Sequence, residues 1–164
     1  MNKAFSLVEL LVVVSVMLLL SGGAFVYIND FSIKQKMEST RKELISNLRL
    51  ARNYALTGQI SGEESLDYVE VQISQNGLME AWPNGDVGSS YYSMDVSPVG
   101  VGITVIPDGS LFFKAYEGKM LKEDAGGILV SFPVDEKIEI IIGSGGVGET
   151  RVVEVKSSGM INEK

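Results

Sequence analysis

The sequence predicts an α+β fold: one long N-terminal helix, with a membrane half and an amphipathic half, packed against a small antiparallel β domain. Three observations predict it. An apolar run fills residues 5–28, an apolar stripe of helical period continues to residue 57, and short alternating runs separated by turn formers follow Gly58.

The apolar run, Phe5 to Ile28, has 24 residues, and Glu9 is its one charged member. As a helix it reaches about 36 Å, enough for a hydrocarbon core of about 30 Å. A charge at the centre of a bilayer costs about 2.5–3.5 kcal/mol on insertion scales. A plain anchor has no use for Glu9, so the residue implies a partner. No small-residue cleavage site follows a short apolar core, unlike a secretory signal peptide. Gly22-Gly23 is the weak point, where the helix is expected to loosen or kink unless the glycines serve close helix packing.

Past the membrane half, Met37, Leu44, Leu48, Ala51 and Ala55 are spaced 7, 4, 3 and 4 apart, an apolar stripe on one helical face. Lys36, Glu38, Arg41, Lys42, Glu43, Arg49 and Arg52 form the polar face, with Glu38 and Lys42 four apart in the favourable order. Gly58 is the expected helix stop.

The period then changes. Tyr68, Glu70 and Gln72 alternate with Val69, Val71 and Ile73, Asn76-Gly77 marks a hairpin turn, and Leu78 to Trp82 returns. Pro83-Asn84-Gly85-Asp86 breaks that strand. Five more runs, at 99–106, 111–116, 128–132, 138–142 and 152–155, give seven expected strands that pack on the helical stripe.

Composition narrows the function. The chain has no Cys and no His, which removes disulfides, thiol nucleophiles, Cys/His zinc sites, His acid–base catalysis and a lipoprotein anchor. Net charge is −7, divided as +3 over residues 1–52 and −10 over residues 53–164. An acidic soluble part repels phosphate backbones. The GSGGVG stretch at 143–148 lacks the Lys-Ser/Thr of a P-loop and lies between two strand-like runs, so it is expected to be a hairpin loop. Glu63, Glu64, Asp67 and Glu70 lack EF-hand spacing and are expected to be a solvated acidic loop. Trp82, Tyr91 and Tyr92 are expected in the core instead of on a recognition surface. No catalytic residues, metal site or cofactor are expected.

The order Met1-Asn2-Lys3-Ala4, then Phe5-Ser6-Leu7-Val8-Glu9 and an apolar run, resembles the N-terminal signal of type IV prepilins and pseudopilins. The resemblance implies that a prepilin peptidase cuts between Ala4 and Phe5 and methylates the new Phe5 amine. It also implies that Glu9 neutralises that amine on a neighbouring subunit during assembly. The family usually has Gly before the cut, and Ala4 is a less common substitute. LISNLRLARNYALTG and RVVEVKSSGMI further resemble two signatures of GspH/FimT-type minor pseudopilins, with Ala51-Arg52, Ala55 and Ser158-Gly159 in the matching places.

The resemblance divides the chain into a leader (1–4), a transmembrane half-helix (5–28), an amphipathic half-helix (29–57) and a β-rich domain (58–164). It implies a structural subunit of a type IV pilus or a type II secretion-like filament. Its partners would be other pilin or pseudopilin subunits, the prepilin peptidase, the inner-membrane assembly platform and the membrane. The chain would cross the cytoplasmic membrane once, with its C-terminal domain outside the cytoplasm, and then join a cell-surface or periplasmic filament. Nucleotide hydrolysis would be supplied elsewhere in the machine. The alternative is a minor pilin whose β domain binds DNA or another ligand in uptake or adhesion. Some GspH/FimT-type proteins bind DNA through a basic C-terminal tail. Here Arg151, Lys156 and Lys164 are interleaved with Glu149, Glu154 and Glu163, so no basic stripe forms and nucleic acid is not expected as a partner. A tethered enzyme would need converging Asp, Glu or Lys groups in a pocket.

Overall fold

The helical period runs unbroken from the apolar segment into the amphipathic one, and in the computed structural model they form one helix, α1 (Leu7–Thr57). The structure describes all residues except 1–6, 59–64, 75–76, 87, 89, 97–100, 108 and 145–147, and gives the backbone alone for 23–27. At 51 residues α1 is about 76 Å long. It continues through Gly22-Gly23, so the glycines do not interrupt the helix. It stops where the sequence places the stop: Gly58 takes φ +61°, a left-handed conformation open to glycine, and its N–H donates to the Ala55 carbonyl.

Ten strands follow among the described residues, three more than the sequence patterns indicate. They are β1 (Tyr68–Ile73), β2 (Leu78–Pro83), β3 (Tyr92–Asp95), β4 (Gly102–Ile106), β5 (Leu111–Lys114), β6 (Met120–Glu123), β7 (Leu129–Ser131), β8 (Lys137–Gly143), β9 (Thr150–Lys156) and β10 (Ile161–Glu163). Six form one sheet in the order β3-β2-β1-β5-β6-β7, and four form a second in the order β10-β9-β8-β4. Every pairing is antiparallel. The fold is thus α+β, a long N-terminal helix against antiparallel sheets.

The additional strands are β3, β6 and β10, each of three or four residues. The run read as 111–116 ends at Lys114, because Tyr116 has φ +59° in the turn to β6. The GSGGVG segment does join two antiparallel neighbours, β8 and β9; residues 145–147 of it lie outside the described residues, as does Asn76 of the first hairpin. Asn84 secures the entry to β1. Its side-chain oxygen accepts N–H bonds from Asp67 and Tyr68 at 2.8 and 3.2 Å, and its amide donates to the Ser65 carbonyl at 3.0 Å.

All five stripe residues of α1 are buried in one core. Around them lie Val69 and Val71 from β1, Met79 and Ala81 from β2, Leu111 and Phe113 from β5, Ile140 and Ile142 from β8, and Val153 and Val155 from β9. One helical face therefore closes against both sheets. Tyr92 donates its hydroxyl to the Asn47 carbonyl at 2.8 Å, and burial pushes its ionisation well above the usual phenol range. Tyr91 stacks on Tyr54 with ring centroids 4.5 Å apart. Of the three aromatic residues expected in the core, Tyr91 and Tyr92 are half-buried against it and Trp82 is buried outside it.

Beside the apolar stripe, a row of ion pairs ties α1 to the second sheet. Lys34 meets Glu149 at 2.6 Å, Glu38 meets Arg151 at 3.9 Å, and Arg41 meets Glu163 at 3.1 Å. Glu38 also accepts from Arg41 at 2.7 Å, and the expected Lys42 partner is present at 3.6 Å. The Arg41 hydrogen bond holds the Glu38 carboxyl below its ordinary value of 4.5, and the Lys34 hydrogen bond does the same for Glu149. A carboxyl lowered by folding contributes stability above its unfolded value and loses it as pH falls through the folded value. The melting temperature of the full chain in micelles should therefore fall as pH drops below about 4.5. The Glu38→Gln/Glu149→Gln variant should melt lower at neutral pH and show a shallower acid slope. An unchanged slope would remove these pairs from the helix–sheet joint.

Candidate functional site

Chemistry-bearing residues are few, so the site must be sought in surfaces. The most distinctive is the first half of α1. From Leu7 to Leu20 its large apolar side chains are between 48% and 80% exposed, and Ile28 and Phe31 are exposed as well. The first side chain packed on the core is Ile33, and the first fully buried one is Met37. The two hydroxyls in this segment bond back into the helix, Ser15 to the Leu11 carbonyl at 2.8 Å and Ser21 to the Met17 carbonyl at 2.7 Å. Each polar group is thereby satisfied without leaving the helix, as an apolar solvent demands.

Glu9 lies on this exposed segment, in the first turn of α1. There its carboxylate also favours the positive end of the helix dipole. The proposed processing residues Ala4 and Phe5 lie outside the described residues. Gly22 has open space where a Cβ would stand. Among the described residues no helix is long and apolar enough to cross a membrane; the apolar stretch with described side chains ends at Gly22.

A second feature lies at the other end of α1. Arg52 donates its Nε–H to the Gly118 carbonyl at 3.2 Å, across 66 residues of sequence. Gly159, in the turn between β9 and β10, packs on the same group: a Cβ there would sit 1.9 Å from the Gly118 oxygen and 2.8 Å from Arg52 Nε. Gly118 is in turn backed by Leu56, and Met120 N–H donates to the Ser157 carbonyl at 2.9 Å. The Tyr116 N–H donates to the Ala55 carbonyl at 2.8 Å. The helix end, the β5–β6 turn and the β9–β10 turn therefore meet at one joint. The sequence singled out Arg52, Ala55 and Ser158-Gly159; Gly118 carried no signal, because its role is to offer a carbonyl.

Of the residues weighed for a cation, Glu63 and Glu64 lie outside the described residues, and no acidic cluster suited to a metal occurs among the described ones. The C-terminal cations are largely matched by carboxylates. Arg151 meets Glu149 at 3.5 Å, Lys164 meets Glu139 at 3.2 Å, and Lys137 bridges Glu139 and Glu154 at 3.0 and 2.7 Å.

Comparison with known families decides what the N-terminal arrangement belongs to. Residues 1–25 match the prokaryotic N-terminal methylation motif, a span that contains Ala4, Phe5, Glu9 and the start of the apolar helix. It is the motif of the type IV pilin and pseudopilin superfamily, matched here over the N-terminal segment alone. Proteins of that superfamily are generally structural and non-enzymatic. The motif implies processing by a prepilin peptidase, anchoring in the inner membrane and assembly with other pilins. No curated protein and no solved structure matches the chain.

The joint is open to test. Gly159→Ala must adopt φ +75° and push its Cβ into a backbone carbonyl. The left-handed conformation costs about 1–2 kcal/mol and the overlap about 1–3 kcal/mol more. Arg52→Ala, which removes one partly buried hydrogen bond, should cost about 1 kcal/mol. Chemical denaturation should rank Gly159→Ala as the more damaging, and the reverse order would remove the close contact at Gly118.

Proposed function

We propose that this chain is a structural subunit, a minor pilin or pseudopilin, of a type IV pilus or type II secretion-like filament. The observation that carries this reading is the exposed apolar half-helix, interrupted by one carboxylate at Glu9 within the methylation motif. In the bilayer, lipid covers the run from Phe5 to Ile28; in a filament, the same surface packs on neighbouring helices. The peptidase cuts between Ala4 and Phe5 and methylates the Phe5 amine. Glu9 then meets that amine on the adjacent subunit. An expensive buried acid is tolerable when it is paired, and removing one partner leaves a lone charge that costs about 3–5 kcal/mol. The β domain stays outside the cytoplasm and faces outward.

The GspH/FimT-type assignment is supported by the joint. The two stretches that resemble that group's signatures come together there, Arg52 and Gly159 on one carbonyl. DNA capture is disfavoured by the carboxylates that neutralise the C-terminal cations. A tethered catalytic role finds no converging set of groups among the described residues to support it.

Intact mass of the protein recovered from its own host tests the reading. The expected result is loss of residues 1–4 and gain of one methyl group; an unprocessed mass would overturn it. Glu9→Ala should be inserted and cleaved normally but be depleted from filaments. Normal incorporation would remove the proposed pairing of Glu9.

A further inference from the structure

Beside α1, against β10 and the β9–β10 turn, lie two adjoining cavities. One of about 500 Å³ is lined by Lys42, Ile45, Ser46, Arg49, Leu50, Asn53 and Glu163. The other, about 300 Å³, shares Arg49 and Asn53 with it and adds Arg52. They form one trough with Arg49 at its middle. Glu163, the one carboxylate among its described lining residues, is engaged by Arg41 at 3.1 Å. Arg49 is exposed and makes no ion pair among the described residues. The trough is therefore basic, on a chain whose residues 53–164 carry −10.

The opposite charge is gathered on the sheet face turned away from the helix. In the six-stranded sheet Val69, Val71 and Phe113 point into the core. Their alternates share the outer face: Glu70 lies opposite Trp82 and Phe112, Gln72 opposite Glu80, and Glu123 lies two residues beyond Leu121, which faces Phe112. Glu70, Glu80 and Glu123 make no ion pair among the described residues. Beneath them Trp82 and Phe112 are nearly fully buried yet outside the main core, and Tyr68 meets Phe112 edge to face. Lys114, at one border of this face, is held by Glu117. The outer face is thus an aromatic platform with an acidic covering.

We propose that the Lys42–Arg49 trough of one copy docks on the Glu70–Glu80–Glu123 face of a second copy of this chain. The two surfaces lie on opposite sides of the fold, so they cannot meet within one copy. Their charges attract between copies and repel any trough-to-trough or face-to-face contact. A head-to-tail contact that does not close on itself generates an open helical array. The contact rests on the filament reading for its setting, but its test does not depend on processing at Phe5.

The chain has no cysteine, so each single-cysteine variant carries one thiol. Full-length Ser46→Cys, in the trough, and Gln72→Cys, on the outer face, are mixed in detergent micelles and mildly oxidised. The expected result is a mixed disulfide dimer in several-fold excess over that formed by either variant alone. Added salt should lower the yield. Arg49→Glu in the Ser46→Cys chain should also lower it, and Glu70→Lys in the Gln72→Cys chain should restore it. A mixed yield no greater than the self-yields, or one indifferent to charge reversal, would overturn the contact. Either result leaves the intact-mass test of the filament reading unaffected.

Discussion

The structure depends on one mismatch: a helix of about 76 Å against a β domain that covers only its second half. From Met37 to Ala55 the apolar side chains face the two sheets. From Leu7 to Leu20 they face outward on all sides. Water is the wrong solvent for that first segment, since each exposed apolar side chain forgoes about 1.5–3 kcal/mol of burial. Lipid or other helices must replace it. Lipid and neighbouring helices would each suit that surface, which is the physical requirement for the subunit proposed above, one that waits in a membrane and then enters a filament.

A helix used this way must be held rigidly by its domain, or its position would not fix the domain's. Three devices serve that end along one element. The buried stripe supplies adhesion, and the pairs Lys34–Glu149, Glu38–Arg151 and Arg41–Glu163 set rotation about the helix axis. The Arg52–Gly118–Gly159 joint clamps the terminal turn. Exposed ion pairs add little stability singly, so their worth here lies in register. The close approach at Gly118 works differently, because a backbone carbonyl cannot move aside for a Cβ.

Much of this was legible in the sequence. The helical stripe from Met37 to Ala55 and the stop at Gly58 were clear because period and glycine conformation are local properties. The strands with alternating or continuous apolar runs were clear for the same reason. The strands YSMD, MLKE and INE were not, since three or four residues without a period become strands only when a neighbour supplies the ladder. The joint at Gly118 was illegible because it couples Arg52 to a carbonyl 66 residues away. The outer-face carboxylates appeared as separate charges until strand register put Glu70, Glu80 and Glu123 on one surface.

The most direct measurement of the central claim is the reactivity of single cysteines along α1 in a bilayer. Val13→Cys and Leu19→Cys should resist a water-soluble thiol reagent, while Ser39→Cys, exposed beside the β domain, should react quickly. Uniform reactivity along the helix would mean that water surrounds the first half, and the account of α1 as a helix with two different solvents would be contradicted.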